Sequence, residues 1–173
     1  MIIALTGFMG CGKSSVASIL AQDMGCFYFD LDDTIELEEG RSISEIFQED
    51  GEGAFRIMEY EYLDRIISDY EDFPTTMILS LGGGTVLQPT CAKLLKENAT
   101  CVYLKASVGQ LVENLNIVGV ENRPLLKEAG DLESKISEML QQREATYIKT
   151  ADIILDIDGL SPQEIATKIQ EAL

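Results

Sequence analysis

The chain of 173 residues is about the size of one ordinary domain, and its 46% apolar and 25% charged residues are typical of a soluble globular protein. No apolar run approaches the ~20 residues that a membrane-spanning helix requires, and a formal net charge of -17 argues against a broad nucleic-acid or anionic membrane interface. Because the chain contains no histidine, a Ser-His-Asp triad, a His-bearing zinc site and imidazole acid–base catalysis are excluded.

Short apolar runs alternate with amphipathic helical patterns along the chain. This alternation predicts an α/β fold in which helices cover both faces of a parallel sheet, with a ligand crevice beyond the carboxyl ends of the strands. The predicted strands lie near Ile2–Thr6, Cys26–Phe29, Met77–Leu81, Thr100–Leu104 and Asp152–Asp156. Predicted helices lie near Lys13–Met24, Pro89–Glu97, Ser107–Leu115, Leu132–Lys149 and Ser161–Ala172.

The segment between the second and third predicted strands, Thr34 to Tyr70, has the pattern of helices interrupted near Gly40 and Gly51. Within it, Ser42 and Glu45 have the Ser-x-x-Glu spacing of a capping box, which marks the start of a helix. We interpret this segment as an insert between two strands of the sheet.

The first predicted strand leads into Gly7-Phe-Met-Gly-Cys-Gly-Lys-Ser14, which matches the phosphate-loop pattern G-x-x-x-x-G-K-[ST] and opens a helix. Glycines let backbone N–H groups surround phosphate oxygens, and the helix N-terminus adds a favourable partial charge. Lys13 is expected to contact the β- and γ-phosphates of a nucleotide, and Ser14 to place its hydroxyl on a bridging Mg²⁺. The predicted nucleotide-binding residues are Gly10, Cys11, Gly12, Lys13, Ser14 and Ser15.

Cys11 within this loop has two interpretations, a small spacer or a thiol activated by the helix N-terminus. The four cysteines show neither CxxC spacing nor the density of a disulfide scaffold. We therefore expect free core thiols in a reducing cytoplasm.

A phosphate loop alone does not identify a reaction, because GTPase switches, motor ATPases and small-molecule kinases all contain one. The chain has no Asn-Lys-x-Asp stretch of the guanine-specific switches, and it is short for a mechanical ATPase with coupling elements. The sequence therefore favours a small-molecule kinase that uses ATP. A nucleotide-binding regulatory module without catalysis is the alternative from a different class, although every residue type that catalysis requires is present.

Two aspartates, Asp30 and Asp32, lie at the end of the second predicted strand, where strand alternation would direct both side chains to the same side. One carboxylate would hold a water on Mg²⁺, while the other would remove the proton of the substrate hydroxyl. The alternative is a helix N-cap, because Asp30, Asp32 and Asp33 also precede the helical pattern near Thr34.

Three successive glycines, Gly82, Gly83 and Gly84, follow the third predicted strand. Such a run suits a backbone that a ligand must approach closely, and its N–H groups would bind a substrate. The alternative is an ordinary flexible turn before Pro89.

Arg123 lies in a segment, 116–130, that has the composition of a mobile loop, and it is one of only five arginines in this acidic chain. Closure of such a loop over ATP would bring the guanidinium onto the transferred phosphoryl group. The alternative is a surface arginine paired with Glu121 or Glu128.

These motifs together resemble the shikimate kinase family over essentially the whole chain. The resemblance rests on their combination and order: the phosphate loop, Asp30-x-Asp32, Gly40-Arg-Ser-Ile-Ser-Glu-Ile-Phe47, Phe55-Arg56 with Glu59, Leu81-Gly-Gly-Gly84 and Arg123-Pro-Leu-Leu126. It implies a three-layer α/β/α P-loop kinase fold with a five-stranded parallel sheet in the order 2-3-1-4-5. The implied reaction converts ATP and shikimate into shikimate 3-phosphate, a step towards aromatic amino acids.

The resemblance also implies roles for individual residues. Lys13, Asp32 and Arg123 would be catalytic, with Asp32 facing the hydroxyl acceptor and Arg123 in the lid. Ser14 would bind Mg²⁺ directly and Asp30 would act on it through water. The implied substrate-binding residues are Asp32, Arg56, Gly82, Gly83, Gly84 and Arg143.

Two of the implied shikimate ligands are arginines that also have a structural alternative. Arg56, oriented by Glu59, and Arg143 would hold the substrate carboxylate, which suits the bidentate guanidinium group. Each is alternatively a salt-bridge partner, Arg56 of Glu59 and Arg143 of Glu144.

The chain departs from the family in the helix before the lid. Where many members have an arginine positioned to stack on adenine, this chain has Leu111-Val-Glu-Asn-Leu-Asn-Ile117. Asn114 or Asn116 would replace stacking by hydrogen bonds, or the base would be held more loosely with relaxed nucleotide preference. The other adenine-side loop is expected near Ile157-Asp-Gly159.

Residues 1–173 are expected to form a single domain, with an acceptor-binding insert at about 32–70 and a lid at about 116–130. We expect a cytoplasmic monomer that binds the small molecule shikimate and neither nucleic acid nor membrane. The nearest rival is a gluconate kinase or another metabolite kinase of the same fold, but the set of Asp32, Arg56 and Gly82–Gly84 favours shikimate.

Overall fold

The computed structural model describes residues 1–70, 74–121, 124–127 and 130–173. Five strands form one parallel sheet in the order β2-β3-β1-β4-β5, which confirms the predicted order. The strand bounds agree with the predicted ones to within one residue at each end: β1 Ile2–Thr6, β2 Phe27–Asp30, β3 Met77–Ser80, β4 Ala99–Lys105 and β5 Ile153–Asp156.

The central strand β1 is buried along its whole length, as expected of a strand whose sheet is covered on both faces. Its register pairs Leu5 with Ser80 of β3 and with Val102 of β4. Because all strands are parallel, the phosphate loop after β1, Asp30 at the end of β2 and the glycine run after β3 meet at one edge of the sheet. The fold therefore assembles the predicted site residues from separate segments.

Helices connect the parallel strands, and because such crossovers are right-handed, the strand order implies that the first helix covers the face opposite to the helices that connect later strands. The last helix packs beside the first. The helices are α1 Lys13–Met24, α2 Leu31–Glu39, α3 Ile43–Glu49, α4 Gly51–Tyr70, α5 Pro89–Asn98, α6 Val108–Val118, α7 Pro124–Lys127, α8 Leu132–Thr150 and α9 Pro162–Ala172, with a 3-10 turn at Thr85–Leu87. Across the described ranges, none of them combines the length and apolar character needed to cross a bilayer.

The segment between β2 and β3 consists mainly of three helices with a break at Gly40–Ser42, and it begins earlier than predicted. Helix α2 starts at Leu31 instead of near Thr34, because the carboxylate of Asp30 accepts hydrogen bonds from the first-turn N–H groups. The capping box is confirmed: the N–H of Glu45 donates to the Ser42 hydroxyl at 3.2 Å, and the N–H of Ser42 donates to the Glu45 carboxylate at 2.7 Å.

The predicted loop at 116–130 is partly helical. Helix α6 continues to Val118, where the N–H of Gly119 donates to the carbonyl of Leu115 at 2.8 Å, and residues 124–127 form α7. The loop prediction is therefore wrong for these residues. Arg123 lies outside the described residues, so its role in a lid stays a prediction.

Candidate active site

The phosphate loop joins β1 to α1 in the conformation that its glycines predict. Gly10 and Gly12 have φ values of 85° and 89°, in the left-handed region that favours glycine. Gly12 caps α1 without a side-chain hydrogen bond, so the N–H groups of the first turn stay available to a ligand. The side chain of Cys11 is only 2% exposed, which favours the spacer interpretation over the reactive thiol.

Lys13, the first residue of α1, folds back over this loop. Its Nζ atom donates to the carbonyl oxygens of Gly7 at 2.9 Å and Phe8 at 3.2 Å. The side chain is buried, and among the residues that the structure describes its charge contacts backbone dipoles and forms no ion pair with a carboxylate. Its third contact in the described part of the chain is with the Cys11 sulfur at 3.7 Å, so this ammonium group is well placed to turn towards phosphate oxygens.

Asp30 is both a helix cap and a partner of the phosphate loop. Its Oδ1 atom accepts from the N–H groups of Asp32 and Asp33 at 3.0 and 3.3 Å, while Oδ2 accepts from the Ser14 hydroxyl at 2.6 Å. The N-cap interpretation of Asp30 is therefore confirmed, while its role at a magnesium ion stays a prediction. The predicted strand alternation of the two aspartates is wrong, because Asp30 ends β2 whereas Asp32 lies in the first turn of α2.

Asp32 presents a carboxylate to the cavity with an unsatisfied oxygen. Its Oδ1 atom is buried and has no hydrogen-bond partner in the described part of the chain. Burial raises its pKa to about 7, with further contributions from the nearby carboxylates of Glu59 and Asp30, opposed by Lys13 and Arg56. A carboxylate of this kind is suited to accept a proton near neutral pH.

Replacing Asp32 by asparagine is expected to stabilise the protein in the absence of ligands, in a pH-dependent way. Since the pKa rises from 3.8 to about 7 on folding, the folded state binds a proton more tightly than the unfolded state. The stability of the parent protein therefore falls as pH rises from about 4 to about 7, by on the order of 4 kcal/mol. Thermal unfolding should show a higher melting temperature for Asp32→Asn than for the parent protein, by a difference that grows over this pH range. A difference independent of pH would contradict the raised pKa.

Glu59, in the middle of α4, organises the neighbouring wall of the cavity. This fully buried carboxylate accepts from Arg56 Nη1 at 2.6 Å, from Gln88 Nε2 at 2.7 Å and from the Thr85 hydroxyl at 2.5 Å. Arg56 also pairs with the exposed Glu52 at 3.2 Å. The salt-bridge interpretation of Arg56 is therefore confirmed, and the same ion pair fixes its guanidinium at the cavity wall.

The glycine run after β3 lies too close to this wall to carry side chains. A Cβ atom at Gly82 would lie 2.7 Å from Asp32 Oδ1 and 2.9 Å from Glu59 Oε1. At Gly84 it would lie 2.5 and 2.7 Å from the two terminal nitrogens of Arg56. Close approach of functional groups to the backbone, and not turn flexibility alone, therefore accounts for these glycines.

Arg143 brings a second guanidinium to the same cavity from α8. Its Nη1 atom is buried without a hydrogen-bond partner among the described residues, and its Cζ atom lies 5.7 Å from the centroid of the Phe8 ring. The alternative ion pair with Glu144 is wrong, because Glu144 pairs with Lys105 at 3.4 Å. Arg143 therefore has a buried N–H group that can donate a hydrogen bond to a ligand.

Tyr147, one helical turn after Arg143, connects the two loops of the cavity. Its hydroxyl donates to the carbonyl of Gly83 at 2.5 Å, and its ring stacks on Tyr103 with centroids 5.1 Å apart. Gly83 in turn lies against the phosphate loop, since a Cβ atom there would be 3.0 Å from Met9 N. Tyr147 therefore fixes the glycine run relative to the phosphate loop.

The opposite end of the cavity lies between α6 and the loop after β5. Asn114 Nδ2 donates to the carbonyl of Gly10 at 2.9 Å, whereas Asn116 is exposed. Asn114 therefore bonds to the phosphate loop itself. The remaining surface at this end is largely aliphatic and is lined by Ile117, Val118, Ile157, Leu160, Pro162 and Ile165.

One cavity of about 650 Å³, within the usual range for a small-molecule site, is lined by residues from each of these segments. It brings together all of the predicted site residues that the structure describes: Gly10, Cys11, Gly12, Lys13, Ser14, Ser15, Asp30, Asp32, Arg56, Gly82, Gly83, Gly84 and Arg143.

Comparison with known proteins decides the family. The family model described as shikimate kinase matches residues 9–173. The chain belongs to the shikimate kinase family. The shikimate kinase of Chlorobaculum parvum is 41% identical over 180 residues, covering 98% of this chain and 92% of that protein. The shikimate kinase of Thermodesulfovibrio yellowstonii is 39% identical over 167 residues, covering 96% of this chain and 91% of its own.

Solved shikimate kinases share the fold of this chain. The enzyme from Acinetobacter baumannii, solved in complex with shikimate, matches with a TM-score of 0.90 and 30% identity, covering 99% of this chain and 91% of that one. The enzyme from Aquifex aeolicus matches with a TM-score of 0.80 and 29% identity, covering 99% and 95%. These likenesses confirm the predicted P-loop kinase fold.

Three residues that support the walls of this shikimate kinase cavity were not predicted from the sequence: Thr85, Gln88 and Tyr147. Thr85 and Gln88 closely follow the glycine run but act on Glu59, which is distant in sequence, so no local pattern indicates their role. Tyr147 follows Arg143 by four residues. This spacing places both on one helix face and could have indicated that Tyr147 lies near the site.

Proposed function

We propose that this shikimate kinase transfers the γ-phosphoryl group of ATP to the 3-hydroxyl of shikimate, giving shikimate 3-phosphate and ADP in aromatic amino-acid synthesis. The observation that carries the proposal is that Asp32 Oδ1 and Arg143 Nη1, two buried atoms without described partners, line the cavity of the phosphate loop. Buried polar atoms are ordinarily satisfied. Shikimate offers a hydroxyl to the carboxylate and a carboxylate to the guanidinium.

The nucleotide would bind with its phosphates on the backbone N–H groups from Gly10 to Ser15. Lys13 would exchange its two carbonyl partners for β- and γ-phosphate oxygens, which are stronger acceptors because they are charged. Arg123 would reach the transferred phosphoryl group from a lid at about 116–130. Its guanidinium would balance the negative charge that develops there.

Ser14 and Asp30 fit a magnesium site. Their hydroxyl and carboxylate oxygens lie 2.6 Å apart at the phosphate loop, and hard oxygen donors are the ligands that Mg²⁺ prefers. When bound, Mg²⁺ would neutralise charge on the phosphates. Ser14 would hold it directly, while Asp30, fixed by the first turn of α2, would hold a water of its shell.

Shikimate would lie between α2, α4, α8 and the glycine run. Arg56 and Arg143 would bind its carboxylate, and the N–H groups of Gly82 to Gly84 would donate to the hydroxyl groups on its ring. The pair with Glu59 holds Arg56 in place before the substrate arrives, which reduces the entropy lost on binding.

Asp32 would accept the proton in the chemical step. The 3-hydroxyl oxygen of shikimate forms a bond to the γ-phosphorus while the bond from that phosphorus to the β-γ bridging oxygen breaks. The hydroxyl proton passes to Asp32 Oδ1, and ADP leaves with the bonding electrons.

Gly84→Ala is expected to raise the KM for shikimate about tenfold or more, with a smaller effect on the KM for ATP. The new methyl group would lie within 2.8 Å of the Arg56 guanidinium and displace it, and small misplacements of binding groups are costly. Steady-state kinetics measures both constants. Gly53→Ala is the matched control, since a Cβ atom there meets nothing within 4 Å, and an unaltered KM in Gly84→Ala would remove Arg56 from the shikimate site.

A coupled assay with shikimate, quinate and gluconate side by side tests the proposed function. We expect ADP formation to depend on shikimate and to be much faster than with either of the other acids. Preference for gluconate would instead support the rival metabolite kinase, and nucleotide binding without turnover of any acid would support a regulatory module.

We also propose that residues 1–173 form a single domain with its acceptor insert at about 32–70, and that the protein is a cytoplasmic monomer. All four cysteines are free, which suits a reducing compartment. Sedimentation of the purified protein would test the monomer.

A further inference from the structure

Two side-chain amides at the end of the cavity between α6 and the loop after β5 form a hydrogen-bonded chain that joins three separate segments. Gly159 lies in the loop after β5, and its N–H donates to Gln110 Oε1 at 3.1 Å. Gln110 Nε2 donates to Asn114 Oδ1 at 3.0 Å within α6. Asn114 Nδ2 then donates to the carbonyl of Gly10 at 2.9 Å in the phosphate loop. We call Gln110 and Asn114 the amide strut.

The backbone groups at its two ends fix the orientation of both amides. The N–H of Gly159 can only donate, so Gln110 must present its oxygen there and its NH₂ group to Asn114. The carbonyl of Gly10 can only accept, so Asn114 must present its NH₂ group to the phosphate loop. Reversing either amide would break two hydrogen bonds, and the strut therefore has a single favourable arrangement.

Both ends of the strut are anchored by further contacts of α6. Leu115 is buried and lies directly against Gly10, where a Cβ atom would be 2.7 Å from its Cγ. At the start of the helix, the N–H of Ser107 donates to Asp158 Oδ1 at 2.9 Å. Leu115, next to Asn114, thus holds α6 against the phosphate loop, and Ser107, at the start of α6, holds it against the loop after β5.

We propose that Gln110 and Asn114 are positioning residues that hold the phosphate loop at Gly10 in its binding conformation before a nucleotide arrives. Gly10 has a left-handed φ of 85°, and fixing its carbonyl limits the conformations that the loop can adopt. A preformed loop loses less entropy when it binds phosphates. The inference rests on the proposed function in taking this loop as the nucleotide site, and it places the effect of the strut on the phosphates and not on the base.

The test compares ADP with pyrophosphate as ligands of near-isosteric apolar variants, using calorimetry on the full chain. Asn114→Leu and Gln110→Met are each expected to raise the Kd of ADP and that of pyrophosphate by a similar factor, about 3- to 10-fold, as for loss of a neutral hydrogen bond. The double variant should bind these ligands no more weakly than the more severe single variant, because the two amides act as one hydrogen-bonded chain. The KM for shikimate should stay unchanged.

Asn116→Leu is the matched control, because the same residue type lies two positions later on α6 with an exposed side chain. Weaker ADP binding with unchanged pyrophosphate binding would overturn the proposal in favour of a direct contact with the base, and unchanged binding of both would overturn it outright. If Asn114→Leu does not fold, Gln110→Met carries the same test from outside the loop. These measurements need no phosphoryl transfer, so their outcome is separate from that of the shikimate assay.

Discussion

Asp32→Asn is expected to lower kcat with shikimate by about 10³-fold or more while ADP affinity stays within about twofold of the parent. Asparagine preserves the shape of the side chain but cannot accept the hydroxyl proton. The link between Ser14 and Asp30 is independent of this substitution, so the nucleotide end of the cavity should stay intact. A coupled assay measures kcat, and calorimetry with ADP measures the affinity.

The matched control for this prediction is Asp69→Asn, which makes the same change at an exposed position of α4. It should leave kcat and ADP affinity unaltered. Loss of ADP affinity in Asp32→Asn without loss of turnover would contradict the proposed role. Together with its expected gain in stability, the variant would show that the unsatisfied carboxylate is retained for chemistry at a cost to the fold.

Arg143→Ala is expected to raise the KM for shikimate by about 10- to 100-fold, as for loss of a hydrogen bond to a charged group, with a smaller effect on kcat. Because no ion pair joins Arg143 to a carboxylate in the described part of the chain, removal of its side chain leaves no buried carboxylate without its cation. The melting temperature should therefore change little. Steady-state kinetics at saturating ATP, with thermal unfolding alongside, measures both effects.

Arg56→Ala provides an informative contrast to this variant. It would leave the fully buried Glu59 without its cation, and breaking a buried ion pair from one side costs about 3–5 kcal/mol. We expect Arg56→Ala to lose stability as well as shikimate affinity, whereas Arg143→Ala loses affinity alone. An unchanged KM for shikimate in Arg143→Ala would remove that arginine from the site.

The segments that carry strong local patterns were predictable from the sequence. Helix α1 begins and ends where its apolar periodicity and Gly25 indicate, and the phosphate-loop pattern located Lys13 and Ser14 correctly in the cavity. Periodicity and motif spacing are properties of neighbouring residues, so a single sequence contains them. The strand order was a different case, since it came from the family resemblance.

The rest depends on contacts between residues far apart in the chain. Asp32 was placed on a strand because alternation could not show that Asp30 caps a helix starting one residue later. Tyr147 and Gly83 are 64 residues apart, and Asn114 and Gly10 are 104 apart. No local pattern reveals such pairs, so the sequence did not indicate that Asn114 bonds to the phosphate loop.

A crystal structure with ADP and shikimate bound together measures the central claim most directly. We expect the 3-hydroxyl oxygen of shikimate within hydrogen-bonding distance of Asp32, its carboxylate on the guanidinium groups of Arg56 and Arg143, and the ADP phosphates on the loop from Gly10 to Ser15. Shikimate bound elsewhere, or bound here with its carboxylate turned away from both arginines, would contradict the account.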